Sequence, residues 1–406
     1  MTPGQEANLS KSTSDRASHS WRIWTAAWMV TAVFILSNSA TPLYVYWQRE
    51  MSFSNGTLTL VFAAYIAGLL AALLVAGQLS DRFGRKPVIF PGLSAAVLAC
   101  LLFATASSVS ALLIARFLSG VAVGVIVSAG MASVVDIGGT DKKQQASLAA
   151  SVAMVLGAGI GPLLSGILAE TISQPVVPIF SAQLAILASA FLVAAALPMK
   201  RIDFHHRGCF RLRLPNVPAA NRLHLALGIA VFAPGITATS FVLSLGPSLF
   251  SKLLHVTSPL VAGGTACMMF LTATGIQFAL KKLPIRTIFM IGAASTILSM
   301  CCTAAAANAS DAVLLALAAV LAGAGQGLGQ LGGLTLIGLH VPEERRAEAN
   351  AVLNIGGYIP AALLPVCTGY LIDYTGLAIG ATIFAVTLSA LAAAALLFVR
   401  AQIARE

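Results

Sequence analysis

The sequence predicts an all-α polytopic membrane protein, with twelve transmembrane helices in two pseudo-symmetric six-helix bundles. Three observations predict it. The apolar runs are about 20 residues long and apolar all round, the length that crosses a ~30 Å hydrocarbon core. Only 9% of the 406 residues are charged, 58% are hydrophobic and mean hydropathy is +0.89, whereas a soluble domain carries about 25% charge. Lysine and arginine are also distributed with a strong bias between alternate loops. A β-barrel does not fit, since barrel strands alternate in polarity and are about ten residues long.

In chain order the spans read 23–44, 57–79, 88–106, 109–134, 146–169, 176–198, 222–247, 257–280, 286–306, 311–338, 346–371 and 377–399. Residues 1–22 are polar (Ser10, Lys11, Ser12, Thr13, Ser14, Asp15, Arg16). They read as a disordered tail, because a signal peptide would place a short apolar core there. An even number of spans puts both termini on one side. On that side fall 21 of the 24 Lys and Arg residues, with Arg49 and Lys252 opposite and Arg116 inside the fourth span. The terminal side is therefore expected to be cytoplasmic, in an inner (plasma) membrane. The net charge of +10 then reports topology rather than nucleic-acid binding. Segment 199–221 carries Lys200, Arg201, Arg207, Arg211 and Arg213 with Pro215 and Pro218. As the longest interior connection it divides 23–198 from 222–399, and 400–406 is a second cytoplasmic tail.

The halves show a faint repeat at an offset near 200 residues. Gly120 and Gly124 in span 4 have glycine partners at Gly323, Gly325, Gly327 and Gly329 in span 10. Gly157, Gly161 and Pro162 in span 5 have looser partners at Gly356, Gly357 and Pro360 in span 11.

Between spans 2 and 3 the chain reads Gly77-Gln78-Leu79-Ser80-Asp81-Arg82-Phe83-Gly84-Arg85-Lys86. Gly84 allows a positive φ or a close helix approach. Asp81 can pair with a base or accept from helix-end N–H groups. This stretch resembles the Gly-x-Leu-x-Asp-Arg-x-Gly-Arg-Lys signature of the major facilitator superfamily, with every named position filled. The resemblance implies a conformational role for Gly77, Asp81, Arg82, Gly84 and Arg85. The matching loop of the second half, Leu280–Arg286, keeps bases only.

Two further motifs lie in the first half. Arg116, four residues before Gly120, sits in an apolar span, where a charge costs several kcal/mol unless it is paired or lines a cavity. It resembles the Arg-x-x-x-Gly motif of the superfamily's fourth helix, which implies a part in proton coupling; clamping to helix carbonyls is the structural alternative. Gly157-x-x-x-Gly161-Pro162 places two glycines on one helical face and removes an N–H. It resembles the motif of the antiporter branch, which implies a kinked seal over the outer half. Asp136 closes span 4 next to Arg82, Arg85 and Lys142. The expectation is an inner ionic latch of Asp81, Asp136 and these bases, closed only when the outer side is open.

Asn38, Gln326, Asn354 and Tyr358 are the polar candidates for a substrate cavity, together with Arg116. No Asp or Glu lies near the middle of a span, so Arg116 is the one charge such a cavity could hold, which suits neutral or anionic ligands. Any coupled proton would fall to Arg116, Asp81, Asp136 or an acid of the substrate itself. The six cysteines are scattered without metal spacing, and no cofactor is expected. His19, His205, His206, His224, His255 and His340 sit in tails, loops or span ends, and neither HExxH nor GxSxG occurs. An enzyme is therefore not expected. Without GxxxxGK[ST] there is no ATP drive.

The leading expectation is a secondary active exporter of small amphipathic or hydrophobic compounds, of drug-efflux type, by proton antiport. The alternatives are a proton symporter or uniporter importing a small neutral or anionic metabolite, and a non-transporting membrane sensor. The partners expected are a small-molecule substrate, protons and lipid, and nothing requires more than a monomer.

Overall fold

A computed structural model describes residues 3–139, 141–197, 221–342 and 345–403, with backbone alone for 3–20, 347 and 403. Twelve of its helices are long and apolar enough to cross a membrane. They are α1 (Trp21–Glu50), α2 (Asn55–Phe83), α3 (Lys86–Ala104), α4 (Val109–Gly138), α5 (Lys143–Thr171) and α6 (Val176–Ala196) in the first half. The second half holds α7 (Arg222–Leu253), α8 (Pro259–Leu280), α9 (Ile285–Ala309), α10 (Ala312–His340), α11 (Glu348–Thr375) and α12 (Leu377–Gln402). Apart from Asn221, the linker expected at 199–221 lies outside the described residues. So do 404–406 of the C-terminal tail, whose beginning continues the last helix to Ile403.

Three helices differ from expectation. The backbone of the segment read as disordered is helical from Pro3. Its sequence holds no Gly or Pro between Gly4 and Thr41, and extending a formed helix costs far less than nucleating one. At the other end α1 runs past residue 44. Pro42 turns it through a short 3-10 segment, Thr41–Leu43, and the helix resumes as Tyr44–Glu50. Its counterpart α7 also overruns, closing on a π turn at Leu249–Leu253 just after Pro247.

Packing repeats between the halves. α2 packs on α4 as α8 does on α10, α1 on α5 as α7 on α11, and α3 on α6 as α9 on α12. The repeat in the sequence is the repeat in the packing. A Cβ at Gly120 would collide with the Tyr65 carbonyl of α2, and one at Gly323 with the Met269 carbonyl of α8. Gly124 and Gly327 do the same one turn along, against Leu69 and Ala273. Without glycine these backbones could not touch, and helix association in lipid depends on such close contact.

The halves pack most extensively through two helix pairs, α5 with α8 and α2 with α11. Hydrogen bonds join them at the end remote from the termini, the far end. There Arg49 donates to Ser251 (3.1 Å), and Gln48 bonds to Ser248 (3.4 Å). Asp373 accepts from Asn55 and Gly56, and Glu170 accepts from Ser258.

Candidate functional site: a central arginine, a far-end gate and a near-end charge cluster

Arg116 is 1% exposed. Its Nε donates to the Tyr44 hydroxyl, and Nη1 donates to the Ser37 carbonyl at 2.6 Å. The guanidinium carbon lies 5.1, 5.4 and 5.5 Å from the ring centroids of Tyr44, Phe62 and Tyr65. A cation over aromatic faces is stabilised by their quadrupoles, most strongly where water is excluded. Nη2 makes no hydrogen bond. The break after Ser39 lets this cage form: it brings Tyr44 back over the carbonyl end of α1, where an unbroken helix would already have used its acceptors.

The structure brings some of the predicted cavity residues together and leaves others apart. Asn38 donates to Ser37 Oγ (3.0 Å), beside the carbonyl that holds Arg116. Tyr358 lies on α11, which packs on α2, and it meets Phe232 edge-on (6.4 Å, 87°). Gln326 is half-buried on α10 and its Oε1 has no hydrogen-bond partner. Asn354 donates to the Asn350 carbonyl of its own helix (2.8 Å), so nothing ties it to the Arg116 cluster. The aromatic cage of Tyr44, Phe62 and Tyr65 was not among the predicted site residues. Its available signal was a lone membrane arginine in a chain with few aromatic residues, 7% in all.

The span-5 motif divides between two neighbours. Gly157 and Gly161 face α1: a Cβ at either would strike the Thr31 or Ile35 carbonyl. They bind α5 into its own half. Gly159, Pro162 and Gly166 lie on the adjoining face and meet α8. The Pro162 carbonyl sits where a side chain at Gly263 would be, and Gly166 lies against Pro259 and Leu260. Helical geometry is the reason, because positions four apart share a face and positions two or five apart do not.

At the near end Arg85, just outside α3, donates from Nε to Asp136 (2.9 Å) and from Nη1 to Asp81 (2.9 Å) and Ser80 (2.8 Å). Burial by itself would lower its pKa, but the hydrogen bonds and charges of Asp136 and Asp81 outweigh it and raise the pKa. Gly84 holds φ +89, closing α2 as only glycine does without strain. Arg85, Asp81 and Asp136 are thus paired while the far end is closed. The expected latch, closed only when the other side opens, does not describe this arrangement, because all three residues belong to one half. Gly77 stands in open space, with nothing within 4 Å of a Cβ there. Arg82 lies over the neighbouring Phe83 ring at 5.4 Å.

Two repeated six-helix bundles that pack on one another and are hydrogen-bonded together at one end have the architecture of a secondary transporter. The chain belongs to the Major Facilitator Superfamily, whose family model matches residues 24–283 and 225–405. It is therefore a transporter-family protein and not an enzyme. Short stretches are similar to the multidrug resistance protein MdtL. The match is 40% identical over 76 residues in Klebsiella pneumoniae (strain 342), covering 19% of each chain. In Escherichia coli (strain K12 / DH10B) it is 37% over 75 residues, 18% of this chain and 19% of that one. The matches thus span about a fifth of these relatives' length. Among solved structures, a bacterial homologue of the human lysosomal transporter Spinster aligns with TM-score 0.72 at 14% identity, covering 94% of this chain and 96% of that one. The nucleoside transporter NupG aligns at 0.69 and 14% (94% and 98% covered), and a D-xylose-proton symporter at 0.67 and 13% (93% and 97%). At such identity the likeness shows the fold alone.

Proposed function

We propose that this protein exports small amphipathic or hydrophobic compounds from the cytoplasm in exchange for protons, by alternating access. The carrying observation is the contact of Pro162 and Gly166 with Gly263 at the α5–α8 interface. A kinked Gly-Pro seal over the outer half is what the resemblance to the antiporter branch implies. The short MdtL matches and the aromatic rings of Tyr44, Phe62 and Tyr65 around Arg116 favour the same reading. With the termini cytoplasmic, as the lysine and arginine bias predicts, the closed far end faces outward. Arg116, Asp81 and Asp136 remain the proposed proton-coupling groups, and Asn38, Arg116, Gln326, Asn354 and Tyr358 the proposed substrate contacts.

A second reading has one observation in its favour. Arg116 Nη2 is buried without a hydrogen bond, and an anionic metabolite would satisfy it. Inside-out membrane vesicles separate the two readings. Export by antiport predicts that an imposed inside-acid gradient drives a fluorescent amphiphile into them, and that a protonophore abolishes this. Uptake indifferent to the gradient, or organic-anion accumulation by intact cells, would replace export with import.

A further inference from the structure

Two of the far-end contacts between the halves are one device built twice. Glu170 and Asp373 end α5 and α11, and each stands four residues after a glycine, Gly166 and Gly369. A Cβ at Gly166 would lie 2.8 Å from the Pro259 carbonyl oxygen, and one at Gly369 2.8 Å from the Asn55 carbonyl oxygen. Pro259 and Asn55 are the first residues of α8 and α2, each following a serine N-cap. Ser258 Oγ accepts from Val261 N, and Ser54 Oγ accepts from Thr57 N. The carboxylates then take the next free donors. Glu170 accepts from Leu260 N (3.5 Å) and Ser258 Oγ (2.7 Å). Asp373 accepts from Gly56 N (2.9 Å), Asn55 N (2.9 Å) and Asn55 Nδ2 (3.1 Å).

Neither carboxylate suits its own helix. An acid in the last turn opposes the helix dipole, and is favoured only if it finds the N-terminus of another helix. Here that N-terminus belongs to the opposite half. The orphan N–H groups of α2 and α8 are thus satisfied across the interface when the far end is shut, and by water when it opens. The glycines let the carboxyl-bearing turn lie on the partner backbone, within reach of its amides.

We propose that Gly166-x-x-x-Glu170 on α8 and Gly369-x-x-x-Asp373 on α2 form a duplicated lock that holds the far end closed, and that both halves of it release in each transport cycle. The lock holds whichever way substrate moves. Its halves are unequal for a stated reason. Proline at 259 offers no N–H where Asn55 offers two donors, so the Asp373 side is the stronger.

The test uses purified protein in nanodiscs, in a background with the six cysteines replaced, spin-labelled at Ser107→Cys on a far-end loop of one half and at Ala309→Cys, the last residue of α9, in the other. Asp373→Asn and Glu170→Gln keep shape and remove charge. Each should raise the long-distance population about twofold to fivefold, the typical range for a charge at a helix terminus. Asp373→Asn should have the larger effect, and the double variant close to the product of the two. Each single variant is read on its own, so a double variant that failed to fold would leave the test intact. An unchanged distance distribution in either single variant would overturn the lock, as would loss of thermal stability without a shift to longer far-end distances.

Discussion

Gly263→Ala isolates the gate from the fold. A Cβ at this position stands 3.0 Å from the Pro162 carbonyl carbon, closer still to its oxygen, and 3.3 Å from the Gly166 Cα. All three are backbone atoms and cannot rotate away. Carbon contacts relax near 3.5–4.0 Å, so α5 and α8 must part by roughly 0.5–1 Å. Overpacking of this kind costs about 1–3 kcal/mol. The two helices belong to different halves, so the cost falls on the closed far end and is absent once that end opens. The closed-to-open ratio should therefore fall about fivefold to 150-fold, at 1.4 kcal/mol per tenfold. Cys267 is a native reporter, since it is buried on α8 with Sγ beside Gly159. Water-soluble maleimide on protein in nanodiscs, read by peptide mass spectrometry, should label Cys267 faster in the variant. Gly264→Ala is the control, because nothing lies within 4 Å of a Cβ there. Equal Cys267 labelling in folded Gly263→Ala and wild type would refute the reasoning, since α8 would then be yielding inside the closed state.

Gly161→Ala strikes the Ile35 carbonyl inside one half; it should cost about 1–3 kcal/mol of stability, seen as a lower melting temperature, with Cys267 labelling of the folded protein unchanged. Arg116→Ala leaves the Tyr44 hydroxyl and the Ser37 carbonyl without their donor, a loss of about 1–3 kcal/mol measurable by thermal unfolding. Arg116→Lys keeps the charge but not the fork that reaches both partners, and should transport less than wild type in the vesicle assay while melting above Arg116→Ala. Asp81→Asn removes one of the two carboxylates on Arg85, a half-exposed pairing worth about 0–1 kcal/mol. Its melting temperature and far-end distances should stay near wild type, and a large shift in those distances would restore the near-end cluster as a gate.

Much of the fold was legible because the bilayer is a demanding solvent. A stretch such as 57–79 has one stable fate in hydrocarbon, a helix with every backbone group satisfied internally. Legibility ended where a residue's neighbour is remote in the chain. Arg116 could be read as a charge needing a partner, but Tyr44 lies 72 residues away and reaches it only because Pro42 breaks α1. The Gly157–Gly161 spacing announced a helix contact without saying which helix. The near-end trio was legible as a charge cluster, yet the place of Arg85 between Asp81 and Asp136 depends on where α4 ends relative to the loop before α3.

By itself the sequence determined that there are twelve spans, that a charged turn follows the second, and that the two halves echo one another some 200 residues apart. Hydrophobic length, charge bias and glycine spacing act locally and leave their mark in the chain. Tertiary structure alone decided that the glycine face of α5 is divided between α1 and α8, that Arg116 lies in an aromatic cage, and that Glu170 and Asp373 bind opposing helix ends. Helical periodicity says which residues share a face; only the packing of distant segments says what that face meets.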